Sequence, residues 1–269
     1  MFRTLSCRYF RRAFGWCVPI GGLAGLIGLG GGEFRLPVLM HAIGFGAKAA
    51  VPLNLMVSMV TLTFALVTRS RFVSTADVMP YLDEMMGLIS GGMISAFWGA
   101  RLVQSMSSER LVQTIGLLLA ALGGLLLLEV AFPFQSIGLL PANPVILFAV
   151  GSVFGLGIGL VSSLLGVAGG ELLIPTLMFV FGADIRTAGS ASILISLCLI
   201  TVGLWRHWRL GTLPWGGSVQ RLTMAMSLGS ILGAGLGGLA VAVAPVAALK
   251  LLLGCVLVAA AGKTILTRR

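Results

Sequence analysis

Apolar runs of roughly 20 residues recur along the chain, near 14–30, 50–68, 85–100, 111–131, 145–167, 187–205, 222–244 and 247–266. That is the length a helix needs to cross about 30 Å of hydrocarbon. A shorter apolar piece follows each of two Gly-rich elements, at 34–46 and 172–183. Helices satisfy their own backbone in lipid, and the sequence lacks the alternation of a barrel. The pattern therefore predicts an all-α, polytopic helical membrane protein with about eight hydrophobic segments.

The pattern also repeats. Gly28 to Pro37 reads GLGGGEFRLP, and Gly166 to Pro175 reads GVAGGELLIP. Subtracting 33 from 171 gives an offset of 138, which holds without a gap far beyond these elements. It pairs Gly44 with Gly182, Ser58 with Ser196, Arg71 with Arg209, Met86 with Met224, Gly91 with Gly229 and Gly116 with Gly254. Apolar, Gly-rich stretches match one another easily, but matched Glu, Pro, Ser and Arg at one offset do not arise that way. The chain reads as two tandem transmembrane repeats, 1–138 and 139–269, forming one integral membrane domain.

Composition agrees. Of 269 residues 58% are hydrophobic and only 10% charged, and the mean hydropathy is +1.06, outside the soluble range. The net charge of +10 does not point to nucleic acid, because the basic residues sit at segment ends. Arg3, Arg8, Arg11 and Arg12 precede the first segment, Arg69 and Arg71 follow the second, Arg206, Arg209 and Arg221 flank the loop after the sixth, and Lys263, Arg268 and Arg269 close the chain. The positive-inside rule places all four groups in the cytoplasm. The linker 132–138 carries no basic residue, which places it outside. Four crossings per unit would return that linker to the side of the N-terminus and make the repeats parallel. Three crossings plus a re-entrant hairpin would invert them; the Arg71 and Arg209 groups on one side favour parallel repeats, the linker and the segment lengths inverted ones. Trp205, Trp208 and Trp215 read as an interfacial aromatic belt. The basic start resembles a signal peptide, but residues 21–45 have counterparts at 159–183, so they are read as part of the mature protein.

Little enzyme chemistry is encoded. Cys7, Cys17, Cys198 and Cys255 have no paired spacing, and His41 and His207 are single. Neither a Ser-His-Asp set, a Walker loop nor a metal-ligand cluster is present in the sequence, so the reading predicts no enzyme activity, metal or cofactor.

The Gly-rich elements carry the candidate chemistry. Successive glycines cost a helix on the order of 1 kcal/mol each, so a helix break is expected, followed by a short helix of about 12 residues with Pro37 or Pro175 in its first turns. Discontinuous helices at matching positions of two repeats mark the substrate site of many transporters. Half-helix N-termini formed by Gly31, Gly32, Gly169 and Gly170 present N–H groups and a positive dipole end to an anion. Asn54 and Ser58, like Ser192 and Ser196, are four residues apart and share a helix face; they either donate to an oxyanion or bond between helices. Lys48 and Arg186 add positive charge. Two roles fit Glu33 and Glu171, capping of the freed N–H groups and proton coupling. Gly21 to Gly25 and Gly235 to Gly238 are expected only to let helices pack closely.

A repeated Gly-rich element followed by Pro and Leu, in an eight-segment apolar chain, resembles the sulfite exporter TauE/SafE family of membrane permeases. The residues are Gly28, Gly30, Gly31, Gly32, Pro37 and Leu39, with Gly166, Gly169, Gly170, Pro175 and Leu177 in the second half. Glu33 and Glu171 stand where the family more often has an apolar residue, and Ala168 replaces a glycine. The resemblance implies a multi-pass protein of the bacterial cytoplasmic membrane that exports small sulfur-containing anions such as sulfite or organosulfonates. Its partners would be that anion, membrane lipid and, in an oligomer, further copies of the chain. The alternatives are an uncoupled anion channel and a proton- or cation-coupled carrier of another small anion.

Overall fold

The computed structural model describes residues 7–71, 75–105, 107–131 and 143–240, with single positions beyond. The linker 132–138, most of the apolar segment 247–266, the His41 side chain and the terminal basic residues Arg3, Lys263, Arg268 and Arg269 lie outside the described residues. All regular structure among the described residues is helical: α1 (Cys7–Ile27), α2 (Gly32–Pro37), α3 (Ala47–Arg69), the single turn α4 (Thr75–Val78), α5 (Leu82–Ser105), α6 (Ser108–Ala131), α7 (Pro144–Leu165), α8 (Gly170–Phe179), α9 (Ile185–Arg209) and α10 (Gly217–Ala240). A π-helical turn, Val38–Ala42, prolongs α2. Four of these helices, α3, α7, α9 and α10, are long and apolar enough to cross a membrane.

The breaks fall at the glycines. α1 stops at Ile27 and α2 begins at Gly32, with Gly28 and Gly31 at φ 97° and 65°. α7 gives way to α8 through Gly166 and Gly169, at φ 62° and 82°. Positive φ suits glycine because it has no Cβ. α7 and α9 start on side-chain caps: Asn143 Oδ1 accepts from Val145 N at 3.0 Å, and Asp184 Oδ1 accepts from Arg186 N at 2.9 Å and Thr187 N at 3.2 Å.

The prolines correct one expectation. Pro37 and Pro175 are each the sixth residue of their helix, beyond the first turn. Each stands four residues after its glutamate, so the carbonyls of Glu33 and Glu171 lose the N–H that would ordinarily bond them.

Packing fixes the helix directions. Phe14, Val18 and Gly22 of α1 meet Gly229, Gly233 and Gly237 of α10 in ascending order, so the two helices run parallel. Gly87, Gly91 and Gly92 of α5 likewise meet Phe148, Ser152 and Gly155 of α7. The glycines bring backbone against backbone, the close approach typical of small-residue seams. α9 runs with α5, since Gly92 packs on Leu199 and Phe97 on Trp205. α3 runs with α10, with Arg35 bridging Thr61 and Ser230 and Thr68 lying against Gly238. Against these, α3 and α9 cross antiparallel: Leu55 meets Gly203, whereas Arg69 meets Ser190 and Arg186. The bundle thus has two sets, α1, α3 and α10 in one direction and α5, α7 and α9 in the other.

These directions correct the charge assignment. Arg11, Arg12, Arg206, Arg209 and Arg221 gather at one end, where Arg221 lies 6.0 Å from the Phe10 ring. Arg69 and Arg71 end α3 at the opposite pole, so the basic groups do not all share one side. Asn143, where α7 begins, lies at that opposite pole too, in keeping with a linker free of basic residues. Leu29, Leu36, Leu39, Leu53, Leu62 and Leu88 fill the interior, while Leu117, Val145, Val153 and Leu236 face outward. An apolar exterior is what lipid solvent permits.

Candidate functional site

The two breaks interlock at the centre of the bundle. A Cβ on Gly32 would lie 3.1 Å from Val167 Cα, and one on Gly170 would lie 3.3 Å from Leu29 Cα. Each break is also tied by the far helix. Asn54 Nδ2 of α3 donates to Gly166 O at 2.8 Å, and Ser192 Oγ of α9 donates to Gly28 O at 2.8 Å. The offset of 138 carries Asn54 onto Ser192 and Gly28 onto Gly166, so the same bond is made in both senses. These bonds satisfy carbonyls freed where the helices stop. Asn54 Nδ2 also donates to Gly32 O at 2.7 Å.

Arg35 occupies the space beside the first break and is fully buried. Its Nε donates to Asn54 Oδ1 at 3.2 Å, Nη1 to Thr61 Oγ1 at 2.9 Å and Ser230 Oγ at 3.1 Å, and Nη2 to Gly30 O and Ser58 Oγ at 2.5 Å. The five N–H groups of a guanidinium are thus all engaged, every one by a neutral oxygen. This cage joins α2, α3 and α10. The position equivalent to Arg35 is Leu173, and Ser196, equivalent to Ser58, is buried with its hydroxyl unpartnered among the described residues.

A second buried cation closes the end of α1. Arg69 Nη1 donates to Gly25 O at 3.3 Å and Leu26 O at 3.0 Å, and Nη2 to Arg186 O at 3.0 Å. A cation on the last carbonyls of a helix answers both its orphan acceptors and its dipole.

Glu33 and Glu171, the second residues of α2 and α8, are 1% and 3% exposed. The charges that reach Glu33 are those of Glu171 and, more weakly, Arg35. Among the described residues no hydrogen-bond partner meets either Glu33 oxygen or Oε1 of Glu171. The one side-chain hydrogen bond open to Glu33 is with the Glu171 carboxyl itself, and it requires a proton.

Of the residues singled out from sequence, the structure brings together Gly31, Gly32, Gly169, Gly170, Asn54, Ser58, Ser192, Glu33 and Glu171. In this arrangement Asn54 and Ser192 are committed to backbone carbonyls and Ser58 to Arg35. Lys48 and Arg186 lie in the first turns of α3 and α9 and are not among the charges acting on Glu33. The tryptophans 205, 208 and 215 are exposed at the basic end, with Arg209 over the Trp205 ring at 5.2 Å.

The sulfite exporter TauE/SafE family model matches this chain over residues 13–264. The chain belongs to that family. It is accordingly a multi-pass membrane transporter and not an enzyme. No match was found among curated proteins, and none among solved structures. Within this TauE/SafE chain, the pattern of the sequence places Arg69 with the basic groups at segment ends and gives Arg35 no site of its own. Thr61 and Ser230 were not singled out. An arginine in the apolar stretch after a helix break was the available signal for Arg35, since ionisable groups at membrane depth are functional candidates by default.

Proposed function

We propose that this protein is a secondary transporter exporting small sulfur-containing anions, such as sulfite or organosulfonates, from a bacterial cytoplasm. The carrying observation is the reciprocal tie of Asn54 to Gly166 and Ser192 to Gly28 at two interlocked helix breaks. The family's printed description supports the substrate class. The reading takes residues 1–138 and 139–269 as inverted repeats, which the antiparallel α3 and α9 and the paired positive-φ glycines at 28/166, 31/169 and 44/182 support. Substrate then passes between the repeats, where the backbones at Gly31, Gly32, Gly169 and Gly170 and the uncommitted hydroxyl of Ser196 supply donors. Asn54, Ser58 and Ser192 become available as the repeats rock apart, and Lys48 and Arg186 draw the anion toward the path.

Proteoliposome flux of sulfite and methanesulfonate tests the reading. Saturable flux is expected, weakened at least tenfold in Gly31→Ala and Gly169→Ala. Flux proportional to concentration at all levels would instead identify a pore. Inversion has its own test: single cysteines at Arg71 and Arg209, in a background lacking the native cysteines, should react with a membrane-impermeant maleimide from opposite sides. Reaction from the same side would exclude inverted repeats.

A further inference from the structure

The two glutamates and the arginine share one buried space with unequal charges. Burying two carboxylates side by side is costly unless donors or cations answer them. Among the described residues Arg35 is the cation that acts on Glu33, and its N–H groups are all spent on neutral oxygens. Its single charge cannot balance two ionised carboxylates, and among the described residues three of the four carboxyl oxygens, both of Glu33 and Oε1 of Glu171, have no hydrogen-bond partner. α1 contributes Cys17, which borders Arg35, and α7 has no ionisable side chain. α3 carries Lys48 and Arg69, α5 Asp83, Glu84 and Arg101, α9 Arg186, Cys198, Arg206, His207 and Arg209, and α10 Arg221, and none of these is among the groups that act on Glu33.

From this geometry we infer that the Glu33 and Glu171 carboxyls, meeting at the interlocked N-terminal turns of α2 and α8, form a proton-binding site that holds one shared proton in the resting protein and takes up a second with the anion. With one proton the pair carries a single negative charge, cancelled by Arg35. A monovalent anion entering the same space adds a negative charge, and a proton drawn from the aqueous phase onto the remaining carboxylate restores neutrality. Proton and anion then travel together, one for one, and leave together when the site opens on the other side. The anion half of this proposal rests on the transport reading above; the resting proton does not.

Two measurements separate those halves. In substrate-free protein in lipid nanodiscs, the infrared C=O stretch of a protonated carboxyl should be present at neutral pH and shift in D2O. It should vanish in both Glu33→Gln and Glu171→Gln, because the carboxylate left behind is balanced by Arg35. Its absence from the wild type, or persistence in both variants, would overturn the shared proton whatever the protein transports. In proteoliposomes, methanesulfonate is the probe because it does not titrate near neutrality. An imposed pH gradient should change wild-type flux at least fivefold, with proton movement matching anion movement. Either single Gln variant keeps one carboxylate to take the incoming proton and should stay coupled, whereas Glu33→Gln/Glu171→Gln, checked for a retained thermal unfolding midpoint, should lose the response to the gradient; a double variant that still responds would overturn the coupling. Methanesulfonate flux indifferent to the gradient in the wild type would overturn the coupling and leave the transporter reading standing. Absence of both methanesulfonate and sulfite flux would overturn the transporter reading, and with it the coupling, while the infrared result still decides the resting proton.

Discussion

Replacing Arg35 with Leu should lower the stability of the purified protein by on the order of 3–5 kcal/mol, the range found when one member of a buried charged network is removed. Five hydrogen bonds disappear together, and two of the acceptors, Gly30 O and Asn54 Oδ1, are left buried in the first break. The substitution also removes the positive charge that acts on Glu33. Thermal unfolding in detergent, followed by tryptophan fluorescence, measures the first effect. Arg35→Lys separates charge from geometry: an ammonium keeps the charge but lacks the fork that reaches α2, α3 and α10 at once. Lys should therefore restore only part of the lost stability. An Arg35→Leu midpoint equal to that of the wild type would mean that the cage does not hold these helices.

The second large effect is expected at Gly166. An Ala there would have to keep φ near 62° and place its Cβ 2.8 Å from Cα, Cγ1 and O of Val51. The left-handed conformation alone costs about 1–2 kcal/mol. Because two of the crowded atoms belong to backbone, relief requires α3 to move away, and overpacking of this kind adds about 1–3 kcal/mol. It would also strain the Asn54 bond to the Gly166 carbonyl. Gly166→Ala should accordingly lose most of its folded yield and show a strongly lowered unfolding midpoint. Gly44→Ala supplies the comparison, since Gly44 also has a positive φ of 86° but nothing within 4 Å of the place its Cβ would take. It should lose only the conformational part. Equal losses at both positions would show that backbone strain, and not the interlock of the breaks, governs this site.

Both effects rest on contacts between distant parts of the chain, and that separates what the residues announce from what the fold decides. Apolar runs of spanning length, the two helix breaks and the offset of 138 could be read directly, because each is a local or periodic property. Three glycines weaken any helix wherever they fall, and a proline withholds an N–H in every context. The glutamates could be recognised as candidates for the same reason, since a charge in an apolar run is conspicuous alone.

Partnership is different. Nothing in the period of α3 tells Asn54 that its amide will meet the Gly166 carbonyl 112 residues away, or tells Arg69 that it will turn inward to cap α1. The five acceptors of Arg35 come from the first break, α3 and α10, with Ser230 lying 195 residues along the chain. Whether Ser58 and Ser196 are equivalent likewise depends on what meets them: Arg35 donates to the first, whereas the second has no hydrogen-bond partner among the described residues. Where helices form and where they break is written in the order of residues alone, because short-range sterics and hydrophobic length govern both. Which freed carbonyl each polar side chain answers, which way each helix runs, and that two carboxyls meet are outcomes of the assembled bundle. Buried polar groups must find partners, and packing across the whole molecule chooses them.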